Sequence, residues 1–291
     1  MSLYTMRQII ELAEEKGLKI SDVALELESK ESGLSIDEIK KRMAYNYEIM
    51  KNSVSHGISQ VMPSVSGLTG GEGYRLWHEK EKGLSGETIL KASSRAMAVS
   101  NVNASMGRIV AAPTAGSCGI IPGVMMTVAE KLGKSEDEIV NALITTAIVG
   151  KIIAQNATLA GAEGGCQAEC GSASAMAAAA AVELAGGTPS QAGHAAAIAL
   201  KGIMGLVCDP VAGLVEVPCI KRNSFGAAQA ILAADMAMAG IESVIPVDEV
   251  IKAMGEVGRS LPVELKETAM GGIAASKTGK MLEEKLMKKE N

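Results

Sequence analysis

The chain has 291 residues, of which 47% are hydrophobic but only 2% aromatic, and its formal net charge is -5 at pH 7. This length allows one large domain or two small ones around a substantial core. The acidic balance argues against a nucleic-acid-binding surface, for which a clustered Lys/Arg face is expected. With one Phe, one Trp and 17 Met, the apolar volume must come from Ala, Ile, Leu, Val and Met. This composition predicts an all-α protein whose small residues let helices approach closely.

The sequence shows no export signal. No apolar h-region follows the starting Met, and the most apolar stretch, residues 139–162, is interrupted by Asn141, Lys151, Gln155 and Asn156. Neither a signal peptide nor a transmembrane span is therefore expected. Five cysteines without an export signal indicate reduced thiols or metal ligands rather than disulfides. The expected location is the cytoplasm.

The first 50 residues have the pattern of a helical segment. Ser21 can cap a short helix, and Ser35-x-x-Glu38 is a capping-box pattern that predicts a longer helix through about Met50. The composition changes after Met50. We therefore predict an N-terminal helical segment at residues 1–50 and a helical catalytic domain at residues 51–291.

Two segments rich in Gly, Ser and Thr are predicted to be loops. The first, SVSGLTGGEG at residues 64–73, can form an anion-binding concavity from its backbone N–H groups. The second, APTAGSCGIIPG at residues 112–123, leads into an apolar helix whose N-terminus suits a carboxylate or phosphate. It is not a P-loop, because no Gly-Lys-Ser/Thr ending is present.

The second half of the chain is predicted to be helical throughout. Ser135-x-x-Glu138 caps a long helix, and residues 172–185 are nearly all alanine, as expected for a central buried helix with close neighbours. Asn223 is predicted to cap a helix that ends at Ala239. No segment shows the period-two alternation of a half-buried strand.

Four of the five cysteines, Cys166, Cys170, Cys208 and Cys219, lie within two residues of a Gly or Pro. Bends at such positions can bring distant thiols together around a metal. The spacing matches neither ferredoxin nor zinc-finger runs, so an iron–sulfur cluster, a structural zinc ion and no metal at all remain open. The fifth, Cys118, is expected to be a small buried hydrophobic residue.

Four motifs resemble a known family. APTAGSCGIIP (112–122), GCQAE (165–169), CDPVAGLVEVPC (208–219) and Arg222-Asn223 together resemble the alpha chain of the bacterial iron–sulfur-dependent L-serine dehydratase. The likeness covers nearly the whole chain. It implies a helical catalytic fold, a 4Fe–4S cluster, and conversion of L-serine to pyruvate and ammonia without pyridoxal phosphate.

The resemblance also implies roles for individual residues. The cluster cysteines of the family fall on Cys166, Cys208 and Cys219, and three thiolates leave one iron open to act as a Lewis acid on the serine hydroxyl. Lys221 and Arg222 can add positive charge beside Cys219. The substrate carboxylate and amino group are expected at two loops, through Thr114, Gly116 and Ser117 in one and Ser66, Thr69 and Gly70 in the other.

Two departures from the family pattern affect the expectation. Cys170 stands where family members often have Val, and we interpret it as a packing residue next to the site; the alternative is an additional thiol near the cluster. The Ser-His-x-x-Gly-Pro motif of the partner beta chain is absent, so the expected enzyme is a heteromer with a beta chain.

The base that removes the α-proton is not assigned by the sequence, although four side chains have suitable chemistry, namely Glu169, His56, His194 and Lys266. Two alternatives to the serine lyase remain. One is a related iron–sulfur L-cysteine desulfidase, and the other is a zinc or metal-storage scaffold without turnover.

Overall fold

The computed structural model describes residues 4–288, which form α-helices joined by turns and short 3-10 segments. This range contains two isolated β-bridges and no β-strand, which confirms the predicted all-α fold. None of the helices within it has the length and apolar content needed to cross a membrane. The helices are α1 (Met6–Lys16), α2 (Ile20–Ser32), α3 (Ile36–Ser59), α4 (Glu72–Glu79), α5 (Glu87–Ala104), α6 (Ile120–Leu132), α7 (Glu136–Asn156), α8 (Gly161–Gly164), α9 (Ser172–Leu184), α10 (Pro189–Ile203), α11 (Cys219–Met238), α12 (Val247–Ser260) and α13 (Lys277–Met287).

The alanine-rich helix α9 lies at the centre of the fold. All of its residues are buried, and it packs against α6, α7, α10 and α11. Its small side chains allow close approach: Ser174 Oγ donates a hydrogen bond of 3.1 Å to the Gly226 carbonyl on α11. A Cβ atom added to Gly226 would lie 2.9 Å from that same Oγ. The predicted central buried helix is therefore confirmed.

The N-terminal helices pack onto this centre. Met6 and Ile20 belong to one hydrophobic cluster with Ile152 of α7. The Ser21 N–H donates to the Glu183 carboxylate of α9 at 3.1 Å, across 162 residues of sequence. The division into two domains at residue 50 stays a prediction.

The predicted cap at Ser21 is wrong, whereas the one at Ser35 is confirmed. Helix α2 begins at Ile20, one residue before Ser21, and the Asp22 carboxylate accepts the Lys19 N–H at 3.1 Å. At the start of α3, Ser35 accepts the N3 backbone N–H and forms the complete capping box. An N-cap side chain accepts a backbone N–H from the first turn; Ser21 lies inside the helix instead, and Asp22 reaches back to the N–H of Lys19, the N-cap residue.

Helix α3 does not end near Met50 as predicted but continues to Ser59. Ser53 and Gly57 lie beyond the predicted end at Met50 and are buried on the inner face of the helix. A Cβ atom on Gly57 would lie 2.4 Å from the Ala98 carbonyl oxygen of α5. The small residues are therefore a helix-packing surface, because only they permit this approach.

Two further helices begin earlier than the sequence suggested. Helix α4 starts at Glu72, inside the predicted loop, and its Gly73 packs against Ala98 as Gly57 does. Helix α11 starts at Cys219, so Asn223 lies four residues inside the helix instead of capping it. The Asn223 side chain is buried and makes other bonds, which belong to the site described next.

Candidate functional site

Three cysteines stand at bends of the chain, as the sequence predicted. Cys166 follows α8 and precedes a π-helical turn, Gln167–Gly171, which the sequence did not indicate. Cys208 lies between α10 and α11, and Cys219 is the first residue of α11. Their side chains are almost fully buried, with 3%, 3% and 8% of the residue surface exposed. The bends therefore aim these thiols inward.

The three thiols affect one another electrostatically. Burial first, then the charges of Glu169, Cys166 and Cys219, raises the pKa of the Cys208 thiol. Burial, followed by the charges of Cys166 and Glu169, raises the pKa of Cys219 to about 12. Because such effects decay with distance, the three thiols lie within electrostatic range of one another and of Glu169. The direct sulfur contacts in this region are Cys208 with Glu169 at 3.8 Å and Cys166 with Cys170 at 3.4 Å.

The remaining two cysteines differ from each other. Cys118 is completely buried beside Val54 and Val99, in a cluster separate from the main core, which fits the predicted packing role. Burial raises its pKa to about 12. Cys170, at the end of the π-helical turn, places its sulfur 3.4 Å from that of Cys166. This hydrogen bond, assisted by the charge of Arg222, lowers the pKa of Cys166.

Glu169 connects the thiols to one of the two predicted loops. Its carboxylate accepts a hydrogen bond of 2.7 Å from Thr114 Oγ1 and lies 3.8 Å from Cys208 Sγ. Thr114 Oγ1 is also 3.3 Å from Ser117 Oγ. A Cβ atom on Gly161 would lie 2.7 Å from Glu169 Oε2 and 3.1 Å from Cys208 Sγ. Only glycine fits there, because any side chain would displace the carboxylate or the sulfur.

Asn223 holds the same loop onto the start of α11. Its Nδ2 donates to the carbonyl oxygens of Gly116 at 2.7 Å and Cys219 at 2.9 Å, and its Oδ1 accepts the Gly119 N–H at 2.9 Å. One buried amide thereby fixes the loop relative to a cysteine. This role was not predicted from the sequence, although Asn223 belongs to the Arg222-Asn223 motif.

The second predicted loop contacts the segment that precedes Cys219. Ser66 Oγ and Thr69 Oγ1 both donate to Glu216 Oε2, at 2.9 and 2.7 Å. Glu216 is buried and lies three residues before Cys219. The segment before Cys219 therefore contacts one loop, and Asn223 after it contacts the other.

The backbone of Gly70 and the side chain of Lys221 meet at a single carboxylate. Glu72 accepts the Gly70 N–H at 3.0 Å, the Asn101 amide at 2.7 Å and the Lys221 ammonium at 2.9 Å. Lys221 thus forms an ion pair with Glu72, the first residue of α4. The Gly70 N–H bonds to the same carboxylate and so connects the end of the loop to this helix.

Arg222 stabilises the segment that carries Cys208. Its guanidinium pairs with the Asp209 carboxylate at 2.8 Å and donates to the Val207 carbonyl at 2.9 Å. Asp209 also accepts the Ile273 N–H at 2.8 Å. Arg222 therefore spans the residues on either side of Cys208.

Of the four candidate bases, Glu169 alone is shown beside the thiols. His56 is exposed on α3, and His194 Nδ1 accepts the backbone N–H of Ser243 at 3.2 Å. The Lys266 ammonium points to the Arg259 carbonyl at 3.4 Å, although the Lys266 backbone pairs with Cys208. Burial raises the pKa of Glu169, which makes this carboxylate a stronger base than an exposed glutamate.

The donor set fits a thiolate-bound metal centre. Ligand atoms of Glu169, Cys208 and Glu267 all lie within 4.8 Å of one another, so two carboxylates accompany one sulfur donor in this group, which does not include Cys166 or Cys219. Soft thiolates favour zinc and iron–sulfur centres. A nearby metal cation also favours deprotonation of a thiol, which offsets the raised pKa of the buried cysteines. The arrangement can therefore hold a metal next to a carboxylate that exchanges protons.

Comparison with known proteins identifies the family. A family model described as the serine dehydratase alpha chain matches residues 15–274. The chain is 50% identical over 283 residues to the "Probable L-serine dehydratase, alpha chain" of Bacillus subtilis, covering 97% of this chain and 94% of that protein. It is 46% identical over 288 residues to the "L-serine dehydratase, alpha chain" of Peptoniphilus asaccharolyticus, covering 98% and 99%.

One longer relative is matched over only part of its own length. The "L-serine dehydratase" of Streptomyces coelicolor is 40% identical over 277 residues, which are 92% of this chain but 60% of that protein. The segment matched by the family model includes every thiol and both loops described above. The chain therefore belongs to the serine dehydratase alpha chain family.

Proposed function

We propose that this chain is the alpha chain of an L-serine ammonia-lyase, which converts L-serine to pyruvate and ammonia without pyridoxal phosphate. Two relatives of nearly the same length carry L-serine dehydratase and alpha chain in their names. The observation that carries the proposal is the burial of three thiols, those of Cys166, Cys208 and Cys219, with the Cys208 sulfur in contact with the Glu169 carboxylate at 3.8 Å.

We assign these three thiols as ligands of a 4Fe–4S cluster. Their burial supports the assignment, because a dry surrounding protects thiolate ligands from solvent. When bound, the cluster supplies a Lewis-acidic iron that makes the serine hydroxyl a better leaving group. The chain itself must bind the two ends of serine and move its α-proton.

The substrate carboxylate is assigned to the loop that contains Thr114, Gly116 and Ser117. Helix α6 follows this loop and begins at Ile120, so the positive end of its dipole favours an anion there. Asn223 bonds to the Gly116 carbonyl and keeps the loop in place before substrate arrives. Such preorganisation lowers the cost of orienting serine.

The substrate amino group is assigned to the loop of Ser66, Thr69 and Gly70. The Glu216 carboxylate, which accepts both loop hydroxyls, is buried and can pair with an ammonium group. Glu216 lies three residues before Cys219, so its negative charge is near a proposed cluster ligand along the chain.

Glu169 is the acid–base group that we assign to this chain. Burial favours its protonated form, while the bond from Thr114 orients one carboxylate oxygen. A carboxyl group in this environment can accept the α-proton and return it to solvent or product.

The partner is proposed to be a beta chain, because the relatives that match over nearly their whole length are named alpha chains. The proposed location is the cytoplasm, where thiols stay reduced. A complete active site then requires both chains.

The test is anaerobic purification of this chain together with its beta chain, followed by assays of pyruvate formation from L-serine and of bound iron. We expect activity and iron in the wild type, and loss of both in Cys208→Ser, because the alcohol is a poor replacement for a thiolate ligand. Cys118→Ser is the matched control, since Cys118 packs in a separate cluster. It should keep bound iron and turnover if the protein folds, which circular dichroism checks.

Two results would contradict the proposal. An active Cys208→Ser variant with wild-type iron would remove Cys208 from the ligand set. Sulfide release from L-cysteine that is faster than pyruvate release from L-serine would instead indicate a desulfidase.

A further inference from the structure

Cys166 directly precedes the π-helical turn Gln167–Gly171 and Cys170 lies within it, and the ligand set proposed above uses only Cys166. Their sulfur atoms are 3.4 Å apart in the core. We propose that they form a redox modification site: in protein without bound metal, hydrogen peroxide converts Cys166 and Cys170 into a disulfide. The bond withdraws Cys166 from metal binding until a reductant restores it.

The pairing follows from where each thiol points. Side chains four residues apart on a helical segment share a face, and here the segment is the turn Gln167–Gly171. Cys208 is turned to the Glu169 carboxylate at 3.8 Å, and Cys118 lies in a separate cluster. Cys170 is thus the thiol in direct contact with Cys166.

The turn can tighten around the new bond. Side chains at this spacing usually have Cβ atoms about 5–6 Å apart, whereas a disulfide requires about 3.5–4.5 Å. Glycines border the turn on both sides: Gly164 and Gly165 precede Cys166, and Gly171 follows Cys170. Their backbones have the greatest freedom to adjust, so closure can remain local.

The reaction balances with one peroxide molecule. Cys166 has 3% of its surface exposed and Cys170 none, so Cys166 reacts first. Its thiolate attacks one peroxide oxygen, an S–O bond forms, the O–O bond breaks, and the departing hydroxide takes up a proton as water. Cys170 then attacks the Cys166 sulfur, an S–S bond forms, the S–O bond breaks, and a second water leaves. Two thiols lose two electrons, and peroxide gains them.

The experiment is a disulfide map of the full chain. Protein freed of metal under anaerobic conditions is treated with one equivalent of hydrogen peroxide, alkylated and cleaved after glutamate. Cleavage places the five cysteines in five separate fragments, so every pairing gives its own linked mass; the fragments are 88–130, 164–169, 170–183, 184–216 and 217–242.

We expect fragments 164–169 and 170–183 to remain joined, two hydrogens lighter than their sum, and to separate on reduction. Cys170→Ala should abolish the link and leave Cys166 oxidised alone, whereas Cys118→Ala should keep it. A link from Cys166 to Cys208 or Cys219, or two fully alkylatable thiols after peroxide, would overturn the proposal. The wild-type map decides the matter even if a variant fails to fold.

A second measurement follows metal uptake and rests on the proposed function. Oxidised wild type should take up iron and sulfide only after its disulfide has been reduced. Cys170→Ala cannot form this disulfide. After the same peroxide treatment, a monothiol alone should reduce its single oxidised thiol and restore its iron uptake. Failure of any reduced sample to bind iron would count against the cluster and leave the disulfide map unaffected. Equal iron uptake by oxidised and reduced wild type would contradict the modification site.

Discussion

At the scale of single residues, the proposed chemistry depends on Glu169. Its carboxylate contacts both Thr114 and Cys208, and Gly161 leaves it the space to do so. Burial raises its pKa above the usual range of a glutamate. A base must be ionised to accept a proton. The raised pKa therefore moves the acid limb of the pH profile, where activity falls on acidification, toward neutral pH.

We expect Glu169→Gln to lower kcat/KM for serine by about 10²–10⁴-fold, the usual contribution of a general base. In the wild type, kcat/KM should fall as the pH drops through the raised pKa of Glu169, and this acid limb should be lost in the variant. The measurement is the pH profile of the two-chain enzyme at matched iron content. Glu163→Gln, an exposed neighbour on α8, is the control and should keep the limb. A glutamine variant with the wild-type profile would assign the base elsewhere.

The sequence predicted part of this site. The resemblance implied Cys166, Cys208 and Cys219 as cluster ligands; the structure shows all three buried, and their role as ligands stays a prediction. The resemblance did not identify Glu216 or Asn223 as site residues. Their hydrogen-bond partners, Ser66 and Gly116, lie 150 and 107 residues away in the chain. Pairings at such separations leave no periodic pattern, and the only available signal was the position of both residues beside Cys219.

At the scale of helices, close packing of small residues determines the architecture. Helix α9 is surrounded by four others and presents mostly methyl groups to them. Well-packed interiors leave no free volume for additional side-chain atoms. The central helix therefore restricts side-chain size more strongly than any surface helix does.

We expect Ala178→Leu to destabilise the protein by about 1–3 kcal/mol, or to prevent folding, because the larger side chain overpacks α9. The measurement is urea unfolding followed by circular dichroism. Ala154→Leu on α7 is the control, since Ala154 is exposed and should change stability little. Unchanged unfolding of Ala178→Leu would show that the neighbours of α9 can move aside.

Helix starts and helix lengths were not equally predictable. The capping boxes at Ser35 and Ser135 are present as the sequence indicated, because the signal is contained within four residues. The extent of α3 was not predictable in this way. Gly57 looks like a breaker until the approach of Ala98 is known, and tertiary packing then overrides propensity.

At the scale of the whole molecule, a buried carboxylate joins the N-terminal helices to the centre. Glu183 of α9 accepts the Ser21 N–H of α2. Burial raises the pKa of Glu183, although the bonds from Ser21 oppose the shift. A carboxyl group that binds its proton more tightly when folded favours folding at low pH, and this benefit is lost as the pH rises from the unfolded through the folded pKa.

We expect Glu183→Gln to raise the free energy of unfolding at neutral pH and to leave it nearly unchanged at acid pH, where Glu183 is protonated. The glutamine oxygen can still accept the Ser21 N–H. The measurement is urea unfolding at several pH values between about 4 and about 8. Glu14→Gln, exposed on α1, is the control and should show no such pH-dependent gain. A loss of stability at neutral pH would mean that the charge itself holds α2 in place.

The bends that carry the proposed cluster ligands are secured by contacts that do not involve sulfur. The backbone of Cys208 pairs with Leu265 and Glu267 at 2.9 and 2.7 Å, and the Cys219 carbonyl is held by Asn223. The backbone at these two positions is therefore held by protein atoms alone. If the proposed cluster binds here, the chain can fold first and receive it afterwards.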